Sequence, residues 1–406
     1  MATLTYDRLQ DAVGGDAVAI RARTVLDPAG GPGDKVFPAS YAVADSAKHK
    51  YAVEERLIGG RESVTVLLDS VASQANRAEM ALLEGWEVGE LRFPVPFVDF
   101  TVDEELADIG RITVLEAPHR VADAIFRDSL LEDTLFRLAD VGRAITEATP
   151  RNANALFRFS PTALLFGMWD STGPKGGLGS KFQRAYVSEI VGLDAKIGTK
   201  VGSRIDPLQI EREAAVAYEH ADPDQRWTLD PAEAAKDKDK PKPVGKTGRP
   251  SEINHGNVAP SIDSRAGGVT ISEAVQTVVI SLAALRRLRF TGHDRTAELA
   301  ARTAIATLGV AAIAYQHELD YDLRSRCLLV PRHAPQIELI SRDGSEPDQV
   351  DLDRAGAAAL VDEASAAAAA AGVGWETNEI RLEPAPKLIE LVKRSRKLLA
   401  AEGPSE

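Results

Sequence analysis

Apolar and polar positions along the chain switch repeatedly between two periods. Residues 63–69 (SVTVLLD) form a short apolar run that predicts a buried strand. In 73–85 (SQANRAEMALLEG), Ala78, Ala81 and Leu82 recur at helical spacing and predict a helix, with Gly85 as its stop. Residues 92–100 (RFPVPFVDF) read as extended, and their two prolines suit an edge or a loop. Residues 110–116 (GRITVLE) predict another strand, and 119–133 (HRVADAIFRDSLLED) an amphipathic helix that 134–148 continues. Residues 155–166 (ALFRFSPTALLF) read as a strand and a following element, and 182–193 (FQRAYVSEIVGL) as a strand. In 267–290 a start signal at Thr270 or Ser272 leads into an apolar run that predicts a helix. A second helix covers 295–317, short strands fall at 327–331 and 336–340, and Gly372 ends an alanine-rich helix over 351–372. A strand at 379–384 and a basic helix complete the pattern, which holds no internal repeat.

This alternation predicts an α+β fold, and a ferredoxin-like or RRM-like core with large insertions fits it. With 406 residues the chain has room for two or three units of ordinary size, or for one large decorated domain. The expectation is one such domain over 1–406, with 351–406 as a helical C-terminal part. Within 222–250 the character changes. Residues 231–250 (PAEAAKDKDKPKPVGKTGRP) set Lys236, Lys238, Lys240, Lys242, Lys246 and Arg249 against Glu233, Asp237 and Asp239, with several prolines and little apolar content. That composition predicts an exposed, disordered, basic insertion.

Composition narrows the function classes. A hydrophobic fraction of 44% beside 27% charged residues is that of a globular protein with a sizeable core. The single cysteine, Cys327, excludes an internal disulfide framework and any multi-cysteine zinc site. The opening MATLTYDRLQDAVGG has no signal-peptide pattern, and the apolar run 271–290 is broken by Glu273, Arg286, Arg287 and Arg289. A cytoplasmic protein without a membrane partner is expected. A net charge of -13 argues against blanket polyanion binding, so any nucleic-acid surface must gather its cations in one place.

One stretch gathers them. Residues 170–184 (DSTGPKGGLGSKFQR) hold four glycines and three cations, Lys175, Lys181 and Arg184, around the single acid Asp170. The loop fails the spacing of a P-loop and of a dinucleotide fingerprint. What remains is a basic loop whose bare backbone N–H groups can approach an anion, as a phosphodiester requires; a plain solvated hairpin is the alternative. Gln74, Asn76 and Arg77 stand at a helix start, where amide and guanidinium groups can reach phosphate oxygens, or simply face water. The polar turn SEINHGN brings Glu252, Asn254, His255 and Asn257 together, with His255 able to act as a general base or to contact RNA. The pair His293-Asp294 and the acidic HELDYD stretch (His317, Glu318, Asp320, Asp322) lack the further ligands a metal site needs. There is no G-x-S-x-G elbow.

Four blocks taken together carry a resemblance: DSVASQANRAEMAL (69–82), HRVADAIFRDS (119–129), ALLFGMWDSTGPKGGLGSKFQRAYVSEIVG (163–192), and PSEINHGNVAPSI with GGVTISEAVQTVVISLAALRRLRF (250–290). In order, across roughly residues 60–340, they resemble the Cas-seven-type backbone RAMP subunit of type I-G (formerly I-U) CRISPR effector complexes, the GSU-type family. Ala72 stands where that family leads one to expect a polar residue, and 222–250 and the alanine-rich C-terminal part lie outside the match. The resemblance implies a modified RRM palm with fingers and a thumb. It implies copies that polymerise along one CRISPR RNA (crRNA) and present it for pairing with target DNA. It also implies partner subunits, namely an RNA-processing RAMP protein, a large subunit and a helicase-nuclease that does the cutting. No cofactor, metal or catalytic residue is expected of the backbone subunit itself. A backbone gripper needs phosphate and sugar contacts, because sequence choice is left to base pairing. The low aromatic content, 5%, speaks against base stacking on the sheet. By motif and physical role the RNA-binding candidates are Lys175, Lys181, Arg184, Gln74, Asn76, Arg77, Arg120, Arg127, Asn254 and His255. The alternative function is an RNA-processing endonuclease of the same superfamily, with His255 or His119 as general base. A metal phosphohydrolase built on His293 and Asp294 is a third reading.

Overall fold

The computed structural model describes residues 2–173 and 179–402. It divides into two compact units. The first comprises Met1–Tyr41, Tyr51–Lys196 and Val269–Ile389; the second comprises Ala42–Lys50, Ile197–Gly268 and the residues from Glu390 on. The fold is α+β, as the alternating pattern predicts.

The first unit is built on a ten-stranded sheet: β1 (Ala2–Thr3), β2 (Ala17–Pro28), β3 (Val53–Ile58), β4 (Arg61–Asp69), β5 (Tyr186–Leu193), β6 (Glu273–Ser281), β7 (Tyr321–Asp322), β8 (Leu328–Pro331), β9 (Gln336–Ser341) and β10 (Asp348–Asp351). Its order is β1-β10-β9-β2-β6-β5-β4-β3, with β8 pairing the end of β2 and carrying β7. At its centre, β9-β2-β6-β5 are antiparallel at every step. Helix α2 (Val71–Glu87) lies between β2 and β5 in the chain, and α3 (Arg295–Glu318) between β6 and β9. Around them pack α1 (Tyr6–Gly14) and α4 (Arg354–Ala370).

Alternation sets the two faces of this sheet. Ile20, Ala22, Leu26, Ala274, Val278, Ile280, Tyr186 and Ile190 are buried on the helix side. The other side carries cross-strand rows Glu338–Arg21–Val279–Val187 and Gln336–Arg23–Thr277–Glu189, neither with an aromatic side chain. Helix α3 is long and apolar enough to cross a membrane by composition, yet it is enclosed in this core. Its small residues let it approach the sheet closely: a Cβ on Gly309 would come within 2.8 Å of Ile280 Cδ1.

Several predicted elements change. The 267–290 run is not a helix: it forms β6, paired along its length with β2 and β5, before a single helical turn Leu282–Leu285. Apolar Val275 and Val279 on the open face join the buried Ala274, Val278 and Ile280 of the helix side, so the run loses its alternation and mimics a buried helix. Residues 155–166 hold two short helices, Asn154–Phe159 and Thr162–Phe166, divided at Ser160-Pro161. The helix over 119–133 is replaced by a one-turn helix Ala124–Arg127 and a strand Ser129–Leu131. That strand folds back on Thr134–Leu135 through Glu132 and Asp133, both at positive φ (49° and 63°), the geometry of a tight hairpin. The helix expected to continue over 134–148 is confined to Asp140–Glu147. Gly85 does not stop α2; the helix runs to Glu87, and a Cβ at Gly85 would sit 2.5 Å from the Tyr315 ring.

The second unit is made of short antiparallel ladders, Lys200–Arg204 with Val258–Asp263, Tyr218–Glu219 with Trp227–Thr228, and Lys236–Asp237 with Lys240–Pro241. The 222–250 stretch, expected as a disordered insertion, supplies strands to two of these pairings.

Candidate nucleic-acid interface

The glycine-rich stretch is held at both ends in the first unit. On its entry side, Met168–Trp169 pairs with Lys181–Phe182 on its exit side. The Asp170 N–H donates to the Ser180 carbonyl at 2.8 Å, and Ser180 Oγ donates to the Ala148 carbonyl at 2.7 Å. The buried Asp170 carboxylate is paired with Arg137, whose guanidinium also reaches the Thr172 carbonyl at 2.7 Å. The one acid of the loop is therefore consumed in anchoring it. Gly167 makes the close approach possible: its φ is +83°, and a Cβ there would meet the Arg184 backbone nitrogen at 2.9 Å.

The exit side presents cations. Lys181 is exposed, and its ammonium lies over the Trp169 ring, 5.2 Å from the centroid. Trp169 is 50% exposed, so one aromatic face remains available at the loop's base. Beside it is a 320 Å³ pocket lined by Lys181, Gln183 and Arg287 over a floor that includes Leu164, Phe182 and Leu285. Among the described residues, two cations and no carboxylate line it. Arg184 is half-buried and, among the described residues, its guanidinium makes one hydrogen bond, to the Phe166 carbonyl at 3.3 Å. Burial, and then the neighbouring Arg120, lower its pKa. Glu79 lies beside it as a counter-charge as well as Arg120 as a like charge, so what the guanidinium offers an anion is its spare donors.

Arg120 explains the arrangement underneath. It is buried and donates to Glu79 through Nε at 2.6 Å and Nη2 at 2.9 Å, and to the Gly167 carbonyl through Nη1 at 3.0 Å. Its guanidinium also stacks on Phe166. Burial pushes the Glu79 carboxyl up to about 7, against the opposing pull of Arg120. Arg120 thus supports the loop from within and does not face solvent.

The other candidates separate. Lys175 lies outside the described residues. Gln74, expected at a solvent-facing helix start, is fully buried: it donates to Asp69 at 2.6 Å and accepts from Ser188 and Gln276, each at 2.9 Å, and from Gln316 at 3.1 Å. It ties α2, α3, β5 and β6 together, and its side chain is not presented to a ligand. Asn76 is exposed on α2. Arg77 is bound to Asp69 at 3.0 Å and to the Leu323 carbonyl at 2.6 Å. Arg127 is engaged with Asp128 at 2.5 Å. In the second unit, Asn254 is exposed at φ +60°, and the His255 ring lies edge-on to Trp227 at 6.4 Å. That unit holds its own open groove of 760 Å³, lined by Arg204, Arg212, Arg249 and several hydroxyl and amide side chains.

Of the acidic and histidine signals, Asp294, His317 and Glu318 have structural partners. Asp294 caps α3 by accepting from the Ala297 N–H at 2.9 Å. His317 Nδ1 lies 3.2 Å from the Tyr321 hydroxyl, and Glu318 pairs with Arg354. Among the described residues no three His, Cys, Asp or Glu side chains are grouped to hold a metal. Trp169 and Arg287 carry no mark in the sequence motifs. Trp169 stands next to the loop as one of four tryptophans, which is a usable signal. Arg287 is hidden inside a run that reads as continuous helix.

No curated protein matches the chain. Residues 20–197, a span from β2 through the glycine-rich loop and β5, match the family model described as CRISPR-associated protein GSU0053. The resemblance to a GSU-type CRISPR-associated family read in the sequence blocks is thereby borne out over residues 20–197.

Proposed function

We propose that this chain is the crRNA-binding backbone subunit of a type I-G CRISPR effector complex, that copies of it polymerise along the guide, and that it serves as a gripper and not as the nuclease. The observation that carries the reading is the anchored loop base. Lys181 on Trp169 and the carboxylate-free pocket edged by Lys181 and Arg287 form a cationic surface on an acidic protein, and Arg184, with spare donors, is a further cation at the exit of the same loop. Such a surface suits phosphates and ribose and carries no base-edge code. The central strand order β9-β2-β6-β5, with α2 in one crossover and α3 in the other, is what a ferredoxin-like or RRM-like palm with insertions would have. The aromatic-free rows on its open face favour backbone gripping over sheet stacking.

The test is to coexpress the chain with its neighbouring CRISPR subunits and an array, purify it, and sequence the nucleic acid it retains. The expected result is spacer-bearing RNA of uniform length with several copies of the chain per RNA. A folded protein free of RNA would overturn the proposal. Retained RNA that is cut only when His255 or His119 is intact would replace it with the endonuclease reading.

A further inference from the structure

Helix α5 (Pro386–Glu402) carries an apolar stripe that is half-buried at Leu388 and Val392 and exposed at Leu391, Leu398 and Leu399. At about 100° per residue, Leu388, Leu391, Val392, Ser395, Leu398 and Leu399 fall within an arc of about 120°, the width of a core-facing helix stripe. Yet Leu391, Leu398 and Leu399 are 65%, 61% and 56% exposed. Cations border the stripe on both sides: Lys387 and Arg394 on one, Lys393 and Arg396 on the other. Lys387 is fixed to Asp128 at 2.7 Å, and Arg394 to Glu390 at 2.6 Å, so the helix is anchored at its start and stiffened along its length.

We infer that α5 is a docking helix for another protein subunit, and that its partner presents an acidic amphipathic helix whose apolar face covers the three leucines. Charge complementarity selects this occupant. Two basic rims around a leucine stripe match a leucine stripe with glutamate or aspartate rims. Pairing α5 with its own copy would bring like-charged rims together. A nucleic acid would neutralise the rims and leave the leucines in water. A bilayer surface is disfavoured because residues 386–402 contain no aromatic anchor. The site is outside residues 20–197 and independent of the loop surface.

The experiment titrates the full chain against a labelled synthetic helix with leucine at heptad core positions and glutamate beside them, read by fluorescence anisotropy. Saturable binding is expected. Leu391→Ala/Leu398→Ala/Leu399→Ala should weaken it about tenfold or more, and Arg394→Glu/Arg396→Glu should weaken it and reduce its salt dependence. The leucines are exposed, so the melting temperature should stay unchanged. No saturable binding, or equal binding by the leucine variant, overturns the inference. So does a leucine variant whose only change is in light-scattering mass, in binding to anionic vesicles, or in binding to RNA; these results would assign the stripe to a second copy, a membrane or nucleic acid.

Discussion

Glu79 and Arg120 show how a sequence-level candidate can matter to a binding surface without touching the ligand. Their bidentate pair is buried, with Glu79 only 2% exposed. Arg120→Ala would leave that carboxylate without its partner and should cost about 3–5 kcal/mol in denaturant unfolding, whereas Glu79→Gln/Arg120→Met should recover most of the deficit. The pair also makes stability depend on pH. Folding raises the Glu79 carboxyl from 4.5 to about 7, so the folded state keeps a proton that the unfolded chain has released. Its contribution is therefore full below 4.5 and declines as pH rises toward 7. Glu79→Gln should flatten that part of the stability profile, and an unchanged profile would count against the assignment. Gln74 makes the same point from the other direction: an amide at a helix start looks available in sequence, and tertiary packing claims it for the core.

Among elements, legibility follows local signal. Strand β4, helix α3 and helix α4 with Gly372 at φ +82° are all readable, since each carries its own pattern or terminator. Strand β6 is not, because Val275 and Val279 on its open face erase the alternation that marks a strand. The Glu132-Asp133 hairpin is hidden because it lacks the Asn-Gly or Asp-Gly signature of such turns. At the candidate site, the cations and glycines are legible, but which of them reach solvent is not. That is decided by Gly167, where a positive φ and the nearby Arg184 backbone require the absence of a side chain. Gly167→Ala should destabilise the protein by about 1–3 kcal/mol in chemical denaturation. It should also weaken RNA binding by displacing Arg184, while Gly344→Ala, at positive φ with open space around it, should leave binding intact.

For the whole molecule, charge is segregated: a net of -13 coexists with a cationic loop base and a carboxylate-free pocket. If phosphates dominate the interface, affinity should be similar for unrelated RNA sequences and should fall steeply with salt. Lys181→Ala/Arg184→Ala/Arg287→Ala should then weaken all RNAs alike and lower the slope of log affinity against log salt by about 0.7 for each phosphate no longer neutralised. Unchanged affinity and slope would remove this surface from the interface. The anchoring of the glycine-rich stretch has a practical consequence as well. Asp170 and Ser180 are tied to Arg137, to each other and to Ala148, so the flanks are fixed by partners that lie outside the interval from Gly173 to Gly179. Ser171 is exposed beside these fixed points, so it is a natural position for a fluorophore-bearing cysteine, a reporter reading occupancy of the surface from inside an assembled particle.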